Sequence, residues 1–318
     1  MQIKYRKLNE RADELLRFYL GRNLQLTHAE GLAAQRAGKA IAPWHPEAAH
    51  LSPSVLLRCS IFRVAQTRAA RQSFHRQKFP LQGSRGGYIE YTGAELRQSD
   101  GDLFMMLLKA EQETPGVVVV KFRQFAQKLG WGTTSQALRR VEDSIVRMSA
   151  TNLEVNSFAK QGASMMSGKL AFSLVLGYRE EKPGVWLVYL DSRLWGFKEN
   201  DYTWVHDQHL HQLPVGAVLA SWLLKFLATH REPRAMRLDD LQVFCGSSAT
   251  LKEFRRMAIE AAKTLIKVSF LEDFYVKNGE LSVVRAPMDH VQMQSESIGD
   301  TPREAGQAAL ALSWLSAR

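Results

Sequence analysis

The chain has 318 residues, of which 45% are hydrophobic, and a net charge of +10. This length accommodates two domains of about 100–150 residues with extensions, and the composition excludes wholesale disorder. The cysteines, Cys59 and Cys245, lie far apart, which argues against a disulfide framework or a zinc cluster and fits a reducing compartment. No apolar run approaches the ~20 residues of a membrane span, and the start lacks a signal peptide, so we expect a cytoplasmic protein.

The positive charge is concentrated near the start of the chain. Residues 1–80 hold 14 Lys and Arg against 5 Asp and Glu. Such a basic arm indicates either an anionic partner or a solvated helical extension, and both interpretations stay open. Within it we predict helices over 1–42 and a loop over 43–60 that leads into an apolar segment. Residues 66–87 lack periodicity and are predicted to form a flexible loop.

The next 110 residues predict a helix, a strand, two helices and a β-hairpin. Ser99 and Asp102 resemble an N-terminal cap, and Thr133 with Gln136 resembles a capping box. The predicted helices are 102–113, 123–129 and one that follows Thr133, and the predicted strands are 117–122, 153–158, 169–178 and 185–190. This order is typical of a winged helix-turn-helix domain.

The same order returns later in the chain. We predict helices over 218–227 and 239–245, a third helix capped by Thr250 and Glu253, and a hairpin that turns at Asn278-Gly279. The third helix is expected to bury one stripe of side chains: Leu251, Phe254, Ala258, Ala261, Leu265 and Val268.

The two segments align at a fixed offset of 116 residues. Leu138-Arg139-Arg140-Val141 returns as Phe254-Arg255-Arg256-Met257, Thr134 meets Thr250, and Gly130 meets Gly246. The register holds for nearly forty residues, which indicates a duplicated domain. We therefore predict an α+β fold: tandem winged helix-turn-helix domains with an α-helical N-terminal extension. The predicted boundaries are 1–80 for the extension, 81–198 and 199–286 for the two domains, and 287–318 for a C-terminal tail.

In a helix-turn-helix the third helix enters the major groove, and its outward side chains contact DNA. Helical geometry at 3.6 residues per turn selects these residues in each domain. They are Gln136, Arg139, Arg140 and Arg147 in the first domain, and Lys252, Arg255, Arg256, Lys263 and Lys267 in the second. Asp143 also faces outward and repels phosphate, so we expect the second domain to bind DNA more firmly. A basic but merely solvated helix face is the alternative for each helix taken alone.

A histidine-rich stretch suggests a different chemistry. His209 and His211 flank a leucine, as in the metal site of rolling-circle nickases, where Tyr202 would serve as nucleophile. Such a site needs a third ligand, and the stretch lies at the entrance to a helix, so we favour a linker. We found no Walker A loop or paired-carboxylate pattern, and therefore expect no enzyme activity and no cofactor or metal.

Several stretches resemble one known family. Thr229-His230-Arg231-Glu232-Pro233 and Cys245-Gly246-Ser247-Ser248, followed by Phe254-Arg255-Arg256, are similar to the C-terminal domain of TrfA-type plasmid replication initiators. In the first domain, Tyr91-Thr92-Gly93-Ala94-Glu95-Leu96 and Leu129-Gly130-Trp131 are similar as well. The resemblance covers roughly residues 51–286.

This resemblance implies binding to direct repeats (iterons) in duplex DNA at a plasmid origin, and opening of an AT-rich region with possible contact to its single strands. It also implies recruitment of host DnaA, DnaB helicase and the sliding clamp, together with a possible homodimer. A clamp-binding peptide of this family has its nearest match at Ser60, Ile61 and Phe62, but for these residues we favour an apolar segment that docks on the first domain. A transcriptional repressor with the same domains is the alternative function.

Overall fold

A computed structural model describes residues 49–65, 69–83, 86–111, 116–157, 168–191, 193–194, 202–230 and 235–286. The helices predicted within 1–42 and the predicted tail 287–318 lie outside these residues. The first elements are, in chain order, β1 (Ala49–Pro53), α1 (Ser54–Leu57), β2 (Phe62–Arg63), β3 (Ser73–Pro80), β4 (Tyr88–Ala94) and β5 (Leu96–Arg97). The loop predicted over 43–60 was therefore wrong for 49–57, where β1 pairs with a distant strand, residues 202–206. No helix within the described ranges is long and apolar enough to cross a membrane.

The first unit begins with a helix and ends with a hairpin. Its elements are α2 (Gln98–Ala110), β6 (Val117–Lys121), α3 (Phe122–Lys128), α4 (Ser135–Ser149), β7 (Asn152–Ser157), β8 (Gly168–Phe172), β9 (Val175–Lys182) and β10 (Val185–Leu190). The hairpin β9–β10 pairs with β6 in a three-stranded sheet of order β6-β10-β9. Helix α2 begins four residues before the predicted start, because Arg97 and Asp100 form its capping box.

The second unit has the same order of elements. After β11 (Tyr202–His206) and α5 (Asp207–His211) come α6 (Val218–Ala228), β12 (Met236–Arg237), α7 (Leu238–Cys245), α8 (Leu251–Lys267), β13 (Leu271–Lys277) and β14 (Glu280–Arg285). Its sheet has the order β12-β14-β13, so the strand before the helix pair again lies beside the last strand. The hairpin turns at Asn278 and Gly279, both with positive φ, as the sequence predicted.

The helix starts keep the register of the repeat. Helices α3 and α7 begin at Phe122 and Leu238, and helices α4 and α8 follow the N-caps Thr134 and Thr250. Each pair is separated by the 116 residues found in the sequence. The register ends after α4, because the first unit inserts β7 and β8 before its hairpin whereas the second unit does not.

An additional sheet distinguishes the first unit. Strands β3, β4, β7 and β8 form an antiparallel four-stranded sheet whose inner face packs Phe79, Ile89 and Tyr91 into the first core. Two predictions were wrong here. Residues 73–80, predicted as flexible loop, form the edge strand β3, and the single strand predicted over 169–178 is divided between β8 and β9, which belong to different sheets. Residues 66–68 and 84–85 of the predicted loop lie outside the described ranges.

A connector of residues 54–64 packs against both units. Leu56, Ile61 and Phe62 belong to the first core, whereas Leu57 and Val64 belong to the second. The connector approaches closely enough to α2 that a Cβ on Gly101 would stand 2.8 Å from the Phe62 ring, so glycine is required there. Polar contacts also fix the connector to the second unit: the Val64 amide donates to the Cys245 carbonyl at 2.8 Å and the Arg58 guanidinium to the Thr229 carbonyl at 2.7 Å.

Two partly buried ion-pair clusters join the units directly. The Lys225 ammonium of α6 is only 3% exposed and pairs with Asp102 and Gln98 of α2. Lys109 of α2 and His50 of β1 contact the two carboxylate oxygens of Asp207, at 3.0 and 2.5 Å. Burial alone would raise the pKa of Asp207, but these partners outweigh it and hold the pKa at about 2. Segments far apart in sequence therefore form one packed assembly.

Candidate nucleic-acid interface

Helix α4 presents an apolar face to the core and a polar face to solvent. Its N-cap Thr134 accepts a hydrogen bond from the Ala137 amide at 3.2 Å, which satisfies an otherwise unpaired donor of the first turn. Val141, Ile145 and Met148 are buried against the first core. On the opposite side three of the predicted DNA-contacting residues are exposed, as expected: Gln136, Arg139 and Arg140.

Arg147 was predicted to face outward, and this placement was wrong. Its guanidinium turns back toward α2, contacting Asp100 at 2.8 Å and the Ser144 hydroxyl at 2.9 Å. Asp100 is completely buried and also contacts Arg71 at 2.8 Å. Burial alone would raise the pKa of Asp100, but the charges of Arg147 and Arg71 outweigh it and lower the pKa. Arg147 therefore neutralises a buried carboxylate and holds α4 on α2.

The exposed face of α4 is of mixed charge. Arg140 lies over the Trp131 ring, with its guanidinium carbon 3.9 Å from the ring centre. This cation–π contact fixes the side chain at the turn before α4. Glu142 and Asp143 follow two and three residues after Arg140 and are also exposed. The electrostatic attraction that α4 offers to a phosphate is consequently reduced.

Helix α8 begins with a complete capping box. The Thr250 hydroxyl accepts from the Glu253 amide at 3.3 Å, and the Glu253 carboxylate accepts from the Thr250 amide at 3.1 Å. Helix α7 ends at Cys245, and the next residue, Gly246, has the left-handed conformation, φ +67°, that allows the chain to turn toward α8. A Cβ on Gly246 would also stand 3.0 Å from the Arg63 side chain of the connector.

The five basic residues predicted on α8 are all exposed: Lys252, Arg255, Arg256, Lys263 and Lys267. Their face is less uniform than the sequence indicated. The Glu260 carboxylate pairs with Lys263 at 2.9 Å, and its pKa is lowered by this hydrogen bond and by the charges of Lys263, Lys267 and Arg256. Glu260 therefore offsets part of the positive charge in the second half of the helix.

Leu251 was predicted to be buried with the core stripe of α8, and this was wrong. Its side chain is 51% exposed, whereas Phe254, Ala258, Ala261, Leu265 and Val268 are buried as predicted. Leu251 is the first residue of the helix, and within the described ranges the buried residues of the second core do not cover it.

The short helices that precede α4 and α8 differ in charge. Helix α3 carries the exposed basic residues Arg123 and Lys128, whereas α7 carries Asp239 and Asp240 in its first turn. Asp239 pairs with Arg237 at 2.6 Å. Of the two helices in each helix pair, both α3 and α4 carry exposed basic residues in the first unit, whereas in the second unit only α8 does.

The segment that resembles a clamp-binding peptide has a structural role. Ser60, Ile61 and Phe62 are 2%, 1% and 5% exposed, because the connector is pressed between the units, so the prediction that they form an accessible clamp-binding peptide was wrong. The apolar docking segment, which the sequence favoured, is what the structure contains.

The two cysteines are buried as free thiols, and burial raises the pKa of the Cys59 and Cys245 thiols to about 12.

The histidine stretch also packs internally. His209 is buried, its Nδ1 lies 2.9 Å from the Val268 carbonyl, and its ring packs edge-on against Phe270, whereas His211 is exposed. Among the described residues no group of His, Cys, Asp or Glu is arranged to hold a metal ion. Tyr202 is the first residue of β11.

Comparison with known proteins assigns the chain to a family. It belongs to the TrfA family, whose model, described as TrfA protein, matches residues 24–285. The plasmid replication initiator protein TrfA of Escherichia coli is 24% identical over 244 residues, which cover 75% of this chain. The chain spans 62% of the length of that curated relative.

A solved structure has a related fold. The crystal structure of domains 2 and 3 of RctB superimposes with a TM-score of 0.50 at 14% identity, and the alignment covers 75% of this chain and 99% of the other. A second structure of RctB domains 2–3 gives a TM-score of 0.47 at 12% identity, covering 73% and 97%. At this identity the likeness is one of fold alone, in which helices and small sheets are mixed.

Proposed function

We propose that the chain is a plasmid replication initiator that binds direct repeats in duplex origin DNA through two winged helix-turn-helix units. The observation that carries this proposal is the repetition of one arrangement. A capped helix with exposed basic residues, α4 or α8, follows a short helix and precedes a hairpin, and the arrangement occurs twice at one offset. Membership of the TrfA family supports the same function.

In this proposal α4 and α8 enter successive stretches of the major groove. Arginine and lysine at the exposed positions neutralise phosphates, and side chains in the first turns contact base edges. The ion pairs of Lys225 and Asp207 support the proposal because they hold the two units at a fixed separation. Direct repeats spaced by whole helical turns would then present the same face of the duplex to successive copies.

We further propose that the chain opens an adjacent AT-rich region and recruits host DnaA, DnaB helicase and the sliding clamp, and that it has no enzyme activity of its own. These partners derive from the family resemblance. Because Ser60, Ile61 and Phe62 are buried, clamp recruitment would need a surface other than this segment.

The test is binding to the DNA beside the gene. The chain is titrated into labelled duplexes that carry the tandem direct repeats of its own plasmid, an inverted repeat, or a shuffled sequence. We expect tight binding to the direct repeats alone. Preference for the inverted repeat would support a repressor, and equal binding to all three would contradict sequence recognition.

A single substitution tests whether the exposed face of α8 contacts DNA. Arg256→Ala is expected to weaken repeat binding by about 1–3 kcal/mol if the guanidinium reads a base, or to reduce the salt slope by about one if it meets a phosphate. Lys169→Ala is the matched control, because it removes a positive charge from β8 in the four-stranded sheet, away from both helices. Unchanged affinity and salt slope for Arg256→Ala would remove α8 from the proposed interface.

A further inference from the structure

The second unit exposes an aliphatic side chain at the N-terminal end of α8. In the proposed function this end of the helix lies against base edges. Leu251 is the first residue of this helix and is 51% exposed. In a helix-turn-helix the N-terminal residues of the recognition helix contact base edges. A leucine in this position cannot neutralise a phosphate and has no hydrogen-bonding group in its side chain.

The capping box leaves Leu251 accessible. Thr250 and Glu253, its neighbours in the first turn, are bonded to each other through both backbone and side chain. Arg255 lies one turn further on the same side, since residues four apart share a helix face. Leu251 therefore projects from an ordered turn beside a cation that can contact the DNA backbone or a base.

The chemistry of the major groove offers one natural partner for such a side chain. Each base pair presents hydrogen-bonding groups there, and thymine adds the C5-methyl group. We propose that Leu251 reads the C5-methyl of a thymine and is a specificity-determining residue of the second unit. This inference rests on the proposed function and adds the base that this position selects.

The first unit provides an internal comparison. Ser135 occupies the corresponding position of α4, 116 residues earlier, and is also exposed. Its hydroxyl can donate to or accept from any base edge, and it has little apolar surface. The position that selects a methyl group in the second unit thus carries a polar side chain, Ser135, in the first. In this account the two units select different base sequences.

Replacement of thymine by deoxyuridine removes the methyl group and nothing else. Each thymine of the origin repeat is replaced in turn, and affinity is measured by titration of a labelled duplex. With the unmodified chain we expect one or two positions at which affinity falls about fourfold, the equivalent of ~0.8 kcal/mol for one buried methyl-sized group. With Leu251→Ala we expect about fourfold weaker binding to the thymine duplex and no further loss at those positions.

Two further variants complete the experiment. Leu251→Met keeps an apolar side chain and is expected to retain the sensitivity to deoxyuridine. Val215→Ala shortens an exposed valine that precedes α6 and is expected to leave the whole pattern unchanged.

Equal deoxyuridine penalties in the unmodified chain and in Leu251→Ala would overturn the inference, as would the absence of any sensitive thymine. Both results leave sequence-specific binding intact. Failure of the unmodified chain to bind the repeats would instead overturn the proposed function, and this inference with it.

Discussion

The two units have the same order of elements but distribute charge differently. In the first unit, basic residues lie on both α3 and α4, Arg140 is stacked on Trp131, and Glu142 and Asp143 interrupt the exposed face of α4. In the second unit α7 is acidic and α8 carries five exposed basic residues, partly offset by Glu260. A duplicated backbone arrangement therefore does not imply two equivalent binding surfaces.

The units also differ in how the proposed recognition helix is fixed to its unit. Arg147 and Ser144 attach α4 to the buried carboxylate of Asp100, so polar contacts complete its packing on α2. Helix α8 packs through apolar side chains such as Phe254 and Leu265. This difference leads to predictions that separate the two units.

The largest expected effect is on the first unit. Asp100→Asn should lower the free energy of unfolding by about 3–5 kcal/mol, because it leaves the charges of Arg147 and Arg71 without their buried partner. Chemical denaturation measures the change. Asp143→Asn, which alters an exposed carboxylate on the same unit, should stay within about 0.5 kcal/mol. Similar effects of both substitutions would show that the buried network does not stabilise α4.

A second effect concerns the junction between the units. The pKa of Asp207 is about 2 in the folded chain and near 4 when unfolded, so its stabilising contribution is present above pH ~4 and is lost as pH falls from about 4 to 2. Asp207→Asn should remove about 2 kcal/mol at neutral pH and flatten the acid limb of the stability curve. Denaturation midpoints between pH 2 and 7 test this. An unchanged acid limb in the variant would contradict the role of the Lys109 and His50 contacts.

The smallest effects compare the helix caps. Thr250→Ala should cost about 1–2 kcal/mol, since it removes a hydroxyl that both accepts from the Glu253 amide and donates to the Glu253 carboxylate. Thr134→Ala removes a single hydrogen bond and should cost about 1 kcal/mol. Thr250→Ser retains the hydroxyl and serves as the control. Thermal unfolding of the three variants gives the ranking, and a larger loss for Thr134→Ala would reverse it.

Local patterns in the sequence predicted much of the fold. The capping box of Thr250 and Glu253 and the turn at Asn278-Gly279 depend on residues close together in the chain, and both were found as predicted. The capping box predicted at Thr133 and Gln136 was wrong, because α4 begins one residue later, with Thr134 as its N-cap. The order of elements in both units followed from the same signals.

What the sequence did not predict depends on distant contacts. The partner of Arg147 is Asp100, 47 residues away, and no helical periodicity identifies such a pair. Strand β3 has little hydrophobic alternation because an irregularity between Phe74 and Gln77 interrupts its pairing with β4 and most of its residues are exposed. Ser60, Ile61 and Phe62 are buried by contacts with α2 and the first core. Leu251 fits the core periodicity, but at the end of a helix periodicity does not ensure that a neighbouring element covers the residue.

The most direct test of the account is the salt dependence of binding to the origin repeats for two double variants. Arg255→Ala with Arg256→Ala should reduce the slope of log affinity against log salt by about two, since each phosphate contact contributes about 0.9. Arg139→Ala with Arg140→Ala removes the same charge but should reduce the slope by about one, because Arg140 is held on Trp131. Equal slopes for the two variants, or a larger reduction from the first unit, would contradict the inequality of the two surfaces.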